Sequence, residues 1–436
     1  MFRRALPLLL LLGCSSTQGT APSESGSDPA LPSPKSASTP VQTPAPLPVS
    51  DADLEALGRS LDAFSGDLYA KVATTPGNII VSPASVGVAL GMTYQGATGT
   101  TAEEFASVLH VADSGLDPAR WHAAAGALGD RWTSHVAQDT GAKPPAELAL
   151  ANRLFGAQGL PFEQSFLEAS ERDYRAPMER LDFAASEAAR KRINDWVEDR
   201  THDRIQDLLP PQSIDATTLL VLANALYFKA EWAHPFDEAN TEDAPFFVDG
   251  STEVDVPTMH ITRDFGYVKA PDYTLVELPY GVGGFSMVVA VPTARDGLAR
   301  LEAAVTPASI SEAVWTQQRV ALAMPKFELQ PPKSLALSTA LKELGLQRAF
   351  TNAAEFDGMV SPSKDQLKID EVFHKGFIAV DEKGTEAAAA TAVVMMRGGA
   401  MPREPVPVAL DRPFMFFIRD TRTGATLFMG RVVDPR

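Results

Sequence analysis

Apolar positions recur at helical spacing where the globular part of the chain begins: Leu54, Leu57, Leu61, Phe64, Leu68 and Val72. One such face predicts an opening helix, with Asp51 as its cap. Over 78–97 a short apolar run passes into helical spacing, so a strand leads into a helix, and Pro83 suits the first helical turn. Segment 147–158 reads as a strand. From 186 to 210 the pattern is an amphipathic helix with a short extension that stops at Pro210–Pro211. The run 217–232 is apolar at odd and even positions alike, the pattern of a strand buried on both faces. Segments 273–280, 285–292 and 320–329 are further strands. Segment 335–350 is a helix with Gly345 near its end, 366–384 is a long strand, and 412–433 is a hairpin turning at Thr423–Gly424. Helices come early and strands late, without βαβ alternation. That order predicts an α+β fold with large, mostly antiparallel sheets.

The stretch 385–412 carries none of these patterns. Loops this long inside a compact domain are functional or disordered. It continues directly from the strand that holds His374. Were it extended, Thr385, Ala387, Ala389, Thr391, Val393 and Met395 would share one face, small at first and bulky later. Small side chains can pass between two existing strands at little steric cost, Glu386 can stay in water, and Gly384 is free to change φ and ψ. The side chains suit a strand that has not yet been made.

The N-terminal fifty residues change the picture differently. Arg3 and Arg4 precede a short apolar run, and "LLGCSS" follows, with Leu11 three residues before Cys14. This is a secretory signal that resembles the bacterial lipobox. The resemblance implies cleavage after Gly13 and lipidation of Cys14; with Ser15 next, it implies the outer membrane, periplasmic or surface-facing. The other reading is a plain secretory signal and a secreted protein. Residues 15–50 are Ser-, Thr-, Pro- and Ala-rich with few large apolar side chains, so they read as a disordered tether. The expected organisation is therefore a signal peptide over 1–13, a lipidated cysteine and tether over 14–50, and one domain over 51–436.

Composition mainly excludes. A net charge of -17 without clustered Lys and Arg argues against a nucleic-acid partner. Cys14 is the only cysteine, so the domain has no disulfide, thiol nucleophile or cysteine metal site. No G-x-S-x-G or H-E-x-x-H occurs, and the seven histidines lack ligand spacing, so no enzyme, metal or cofactor site is expected. His374, in the middle of an apolar strand, reads as a core histidine with a hydrogen-bond partner.

The stretch "VDEKGTEAAAATA" resembles the hinge of the inhibitory serpins, a family of serine protease inhibitors. "VSPASV", "INDWVEDRTHDRIQDLLP", "LANALYFKAEW", "MPKFEL", "FHKGFIAVDEKGTEA" and "RPFMFFIRDTRTGATLFMGRVVDP" resemble further family motifs in the family's order, across 51–436. The resemblance implies a serpin fold with a long exposed reactive-centre loop. It also implies a monomeric, metastable inhibitor whose cleaved loop inserts into its main sheet while a serine protease is held as an acyl-enzyme. The hinge would comprise Glu382, Gly384, Thr385, Glu386, Ala387, Ala388, Ala389 and Ala390. Ser82, Ser85, Asn224 and His374 match the shutter beneath the sheet. Trp232 matches the breach where insertion begins, and Lys326 would pair there with Glu382 to hold the hinge.

The reactive bond falls near Met396, Arg397, Gly398 or Gly399. The usual spacing gives Gly398–Gly399, suited to an elastase-like enzyme. Arg397–Gly398 suits a trypsin-like pocket and is favoured; Met395–Met396 suits chymotrypsin- or subtilisin-like enzymes, and Arg403 lies far along. The alternative is a non-inhibitory serpin serving as a tethered binding or scaffold lipoprotein, which the small residues Ala387–Ala390 argue against.

Overall fold

The structure is a computed structural model that describes residues 46–138, 146–361, 367–385 and 404–436. Helix α1 spans Asp51–Val72. Its cap is Ser50 rather than Asp51. Ser50 is extended, its hydroxyl accepts the Asp53 amide at 3.2 Å, and the Asp53 carboxylate accepts the Ser50 amide at 2.9 Å. Asp51 is the first helical residue, where a negative charge complements the helix dipole.

Strand β1 (Ile79–Val81) leads into α2 (Pro83–Tyr94), which opens on Pro83 and is buried along its whole length. Helices α3 (Gly99–Val108), α4 (Val111–Ser114) and α5 (Pro118–Gln138) follow, then β2 (Glu147–Ala157), α6 (Gln164–Tyr174), β3 (Glu179–Leu181), α7 (Ser186–Arg200) and β4 (Leu220–Glu231). The next strands are β5 (Glu242–Phe247), β6 (Glu253–Lys269), β7 (Tyr273–Pro279) and β8 (Phe285–Pro292). After α8 (Leu298–Ala304) and α9 (Pro307–Ser311) come β9 (Thr316–Pro325), β10 (Phe327–Leu329), β11 (Leu335–Ala336) and α10 (Ser338–Leu344). The chain ends with β12 (Val372–Gly376), β13 (Ile378–Val380), β14 (Gly384–Thr385), β15 (Val406–Ala409), β16 (Phe414–Asp420) and β17 (Thr426–Val432). Gly424, at φ 80, makes the β16–β17 turn.

Further expectations change. The helix expected over 335–350 is shorter: Leu335–Ala336 is a strand, α10 covers only Ser338–Leu344 before Gly345 at positive φ, and Arg348–Phe350 is a single 3-10 turn. The strand expected over 320–329 is interrupted at Lys326, between β9 and β10. The long strand expected over 366–384 is shorter and broken at Phe377. Residues before it have other partners: Leu367 and Ile369 are buried, and Glu371 accepts the Ser338 amide and hydroxyl at the start of α10. The patternless stretch is also shorter than 385–412, because Val406–Ala409 joins the first sheet as β15, parallel to β9.

The first sheet runs β1-β17-β16-β8-β7-β6-β9-β15, with β5 on β6. In the second, β10 pairs with β13, β13 with β14 and β14 with β4; β11 pairs with β12 and β12 with β4, and β2 and β3 follow. Both are mostly antiparallel; β2–β3, β4–β12 and β9–β15 are parallel. Strand β4 is buried on both faces. Leu222, Leu226, Phe228 and Ala230 face the main core, whereas Val221, Ala223 and Ala225 pack with Ile193, Trp196 and Val197 of α7.

Candidate functional site

The second sheet contains a seam. Strands β4 and β12 lie side by side in parallel, Val372 opposite Leu222 through to Gly376 opposite Leu226. Higher up, β13 and β4 no longer pair. The chain turns after Val380 and sends β14 between them, with Thr385 opposite both Val380 and Ala230 and antiparallel to both strands. The register across the seam is the same in both halves: each residue of β12 or β13 lies level with the β4 residue numbered 150 lower.

The turn at the top is held by its own residues. Asp381 Oδ1 accepts the Lys383 and Gly384 amides at 2.8 and 3.1 Å, and the Asp381 amide donates to the Gly384 carbonyl at 3.0 Å. Gly384 lies so close to β4 that a Cβ there would sit 2.1 Å from the Ala230 carbonyl oxygen. Only glycine permits that approach. Thr385 is buried, and its hydroxyl hydrogen-bonds the Tyr280 hydroxyl at 2.6 Å. Tyr280 stacks on Trp232 at 4.7 Å between ring centroids, and Trp232 Nε1 donates to the Asp381 carbonyl at 3.0 Å.

Glu382, on the same turn, accepts from Lys326 Nζ and from the Thr241 hydroxyl, each at 2.8 Å. Burial works against its charge, but these two hydrogen bonds outweigh it and hold the carboxyl below its ordinary range. Its side chain is 8% exposed, so this pair is screened far less than a surface ion pair.

Below, a polar row crosses the closed half. Asn152 on β2 faces Asn224 on β4, and Asn224 faces His374 on β12. Ser82, Ser85, Asn224 and His374 are fully buried. The Ser82 amide donates to His374 Nε2 at 2.9 Å, which fixes the ring proton on Nδ1; that nitrogen donates to Asn224 Oδ1 at 2.6 Å. Asn224 Nδ2 donates to Ser85 Oγ and to Asn152 Oδ1, both at 2.6 Å, and the Ser82 hydroxyl donates to the Leu427 carbonyl at 2.6 Å. Burial lowers the His374 pKa to about 3, so the ring is neutral, as this network requires.

Sequence reading did not single out Asn152, Tyr280, Thr241 or Lys375. Asn152 had a signal, an amide in the middle of an apolar strand. Lys375 Nζ donates to the Gln206 carbonyl at 2.8 Å, and the Ser334 hydroxyl donates to the Leu208 carbonyl at 2.6 Å. The segment after α7 is thus strapped to β12 and to the turn before β11. Glu386, Ala387, Ala388, Ala389, Ala390, Met396, Arg397, Gly398, Gly399 and Cys14 lie outside the described residues.

The second sheet is thus opened at one end by Gly384–Thr385, with a buried polar row between the strands below. Residues 59–435 match the family described as Serpin (serine protease inhibitor). The chain belongs to the serpin family. Serpin B6 of Macaca fascicularis is 36% identical over 82% of this chain and 93% of its own length. Leukocyte elastase inhibitor A of Rattus norvegicus is 35% identical over 88% of this chain and 100% of its own. The crystal structure of Serpin48 from the insect Tenebrio molitor superposes with a TM-score of 0.76 at 30% identity, covering 87% of this chain and 98% of that one. The architecture is the α+β serpin fold, and relatives of this serpin include protease inhibitors.

Proposed function

We propose that this serpin inhibits serine-type endopeptidases as a suicide substrate and is not itself an enzyme. The protease's serine oxygen attacks a loop carbonyl, the peptide bond breaks, and the C-terminal side leaves as an amine carrying the proton. The loop remains esterified to the protease and inserts into the second sheet before water can release it.

The observation that carries this reading is the shared register of the seam. Thr385 lies opposite Val380 and Ala230. Eight residues further along the chain, Val393 would arrive opposite Val372 and Leu222, which lie eight residues earlier on each strand and face each other now. An entering strand therefore meets both neighbours in register, antiparallel to each. It replaces one parallel ladder by two antiparallel ones, a gain of about ten hydrogen bonds at roughly 1 kcal/mol each net. Thr391 would arrive between Asn224 and His374, where one hydroxyl can donate to Asn224 Oδ1 and accept from His374 Nδ1.

The target is a trypsin-like protease, which cuts this chain at Arg397–Gly398, and the protein is a monomer anchored at the outer membrane through a lipid on Cys14. Incubation with trypsin, elastase and subtilisin, read on a denaturing gel, tests the inhibitory reading. A covalent band near the summed mass with trypsin is expected. Loop cleavage by every enzyme without such a band sinks it and leaves the non-inhibitory binding reading. Detergent partitioning of wild type against Cys14→Ser tests the anchor, and a soluble wild type removes it.

A further inference from the structure

The corner between α3 and α4 turns on His110, whose backbone is left-handed at φ 53 and ψ 37. Its ring lies between two carboxylates. Nδ1 is 2.8 Å from Asp113 Oδ2 of α4, and Nε2 is 2.8 Å from Asp67 Oδ2 of α1. A neutral imidazole has one N–H and one lone pair, so it can donate to only one of these oxygens and would set its lone pair against the other. Both contacts are hydrogen bonds only when the ring is an imidazolium. Burial opposes that charge, but the bonds to Asp67 and Asp113 outweigh it and raise the pKa above its ordinary value.

Helix α4 is a single turn closed by Gly115 at φ 71. A helix this short has little stability of its own, so its neighbours fix it. Leu109 and Val111 are buried, the Ser60 hydroxyl of α1 donates to the Leu109 carbonyl at 2.5 Å, and His110 ties Asp113 to Asp67. His110 also lines a cleft of about 580 Å³ between α1 and α8–α9, together with Asp62, Asp67 and Glu302. Glu302 is answered by Arg431 and the Tyr69 hydroxyl, and Asp62 by the Ser311 hydroxyl and the Thr426 amide. Lys71, one turn beyond Asp67, pairs with Glu343 near the end of α10 at 3.3 Å, and Asp117, ahead of α5, accepts the Arg120 amide at 2.9 Å. No Lys or Arg lines the cleft, so among the described residues His110 is its one positive group.

We propose that His110 is a proton-operated latch that fastens α4 to α1. With both ring nitrogens protonated the corner is closed, and loss of one proton lets it open onto the cleft. The folded-state pKa lies above the unfolded value of about 6.5, so the latch is fully engaged below 6.5 and is lost as pH rises through the folded value. Asp62, Asp67 and Glu302 then share the cleft wall with no positive group among them, and their repulsion favours opening. The sign is opposite to that of a histidine buried in its neutral form, such as His374.

The test is a pH titration of the full-length protein labelled with 15N-histidine, read by long-range proton–nitrogen NMR. The His110 signals are assigned by their loss in His110→Asn, a residue that tolerates the left-handed backbone but carries no charge. Both His110 nitrogens should be protonated at pH 6, with a midpoint above that of free histidine. Asp67→Asn and Asp113→Asn should each lower that midpoint. Hydrogen exchange gives the second readout. Corrected for the pH dependence of chemical exchange, protection of the amides of 111–116 should fall about fivefold as pH passes the midpoint, and should stay level in His110→Asn. A single neutral tautomer at pH 6, a midpoint at or below that of free histidine, a midpoint that neither Asn variant moves, or protection that falls equally in His110→Asn overturns the proposal.

Discussion

The two halves of the seam share one register but are in different states. In the lower half Val372–Gly376 bonds directly to Leu222–Leu226, and the Asn224–His374 hydrogen bond crosses beneath. In the upper half Val380 and Ala230 are level but parted, with Thr385 between them. The strands need not slide to pass from one state to the other; they need only separate. What resists separation also differs. Below it is a short ladder and a row of neutral polar groups that another hydroxyl could satisfy. Above it is a hinge held by an ion pair, an aromatic stack and close backbone approach. On the proposed mechanism the seam is primed at one end and latched at the other, and the barrier lies in parting the lower half.

The strongest way to break the comparison is to free the loop. Cleavage between residues 386 and 403 should let the lower half adopt the state of the upper one, raising the melting midpoint by some tens of degrees, because about ten further hydrogen bonds close. A melting scan before and after limited proteolysis checks this. Thr391→Val should shrink the rise, since Asn224 and His374 would then lose a partner in the inserted form. A midpoint that is unchanged or lower after cleavage means that the lower half does not open.

Thr385→Arg attacks the primed end. Thr385 is 1% exposed and touches Tyr280, so an arginine there would be buried without a counter-charge or driven out. Insertion slows, the acyl bond hydrolyses first, and the protein should turn from inhibitor to substrate, with several molecules consumed per protease captured. Unchanged stoichiometry would show that the tip position does not govern entry.

Much of this was legible in the sequence. The doubly apolar run of β4 announced a central strand, which β4 is; the small residues after Thr385 lie outside the described residues. Ser82, Ser85, Asn224 and His374 were placed together by family resemblance, not by periodicity. The pairing of Asn152 with Asn224 depends on β2–β4 register, which no single strand encodes. Tyr280 reaches Thr385 from a neighbouring sheet, a contact across 105 residues of chain. Apolar pattern also overran the strand at 366–384, because Leu367 and Ile369 are apolar for the core rather than for a ladder.

The latched end should respond to acid. His374 titrates near 3 in the folded state against about 6.5 when unfolded, so between those values the folded state binds fewer protons. Stability is complete above 6.5 and falls as pH drops, by about 2 kcal/mol at pH 5. His122, lowered to about 4 by burial, acts in the same direction. Asp62, raised to about 6 by burial, acts oppositely: its contribution is present below 3.8 and lost as pH rises through 6. The His374 share is isolated by difference. The fall in denaturation midpoint from pH 7 to pH 5 should be shallower in His374→Asn than in wild type, and parallel slopes would remove the lower half from the acid response.

The smallest expected effect decides how the primed end is held. Tyr280→Phe deletes one 2.6 Å hydrogen bond to Thr385 and leaves the ring, its stack on Trp232 and the β14 backbone ladder in place. The Thr385 hydroxyl then lies buried without its partner, so the uncleaved protein should lose about 1 kcal/mol, read as a shift of the urea midpoint. Thr385→Val makes the complementary deletion. If the bond holds the tip in the sheet, the double variant should cost about 1 kcal/mol less than the sum of the two single ones, because the same bond is lost in each. If the costs simply add, the tip is seated by its backbone and by the close approach at Gly384. The priming of the upper half would then be a property of chain geometry rather than of the Tyr280–Thr385 pair.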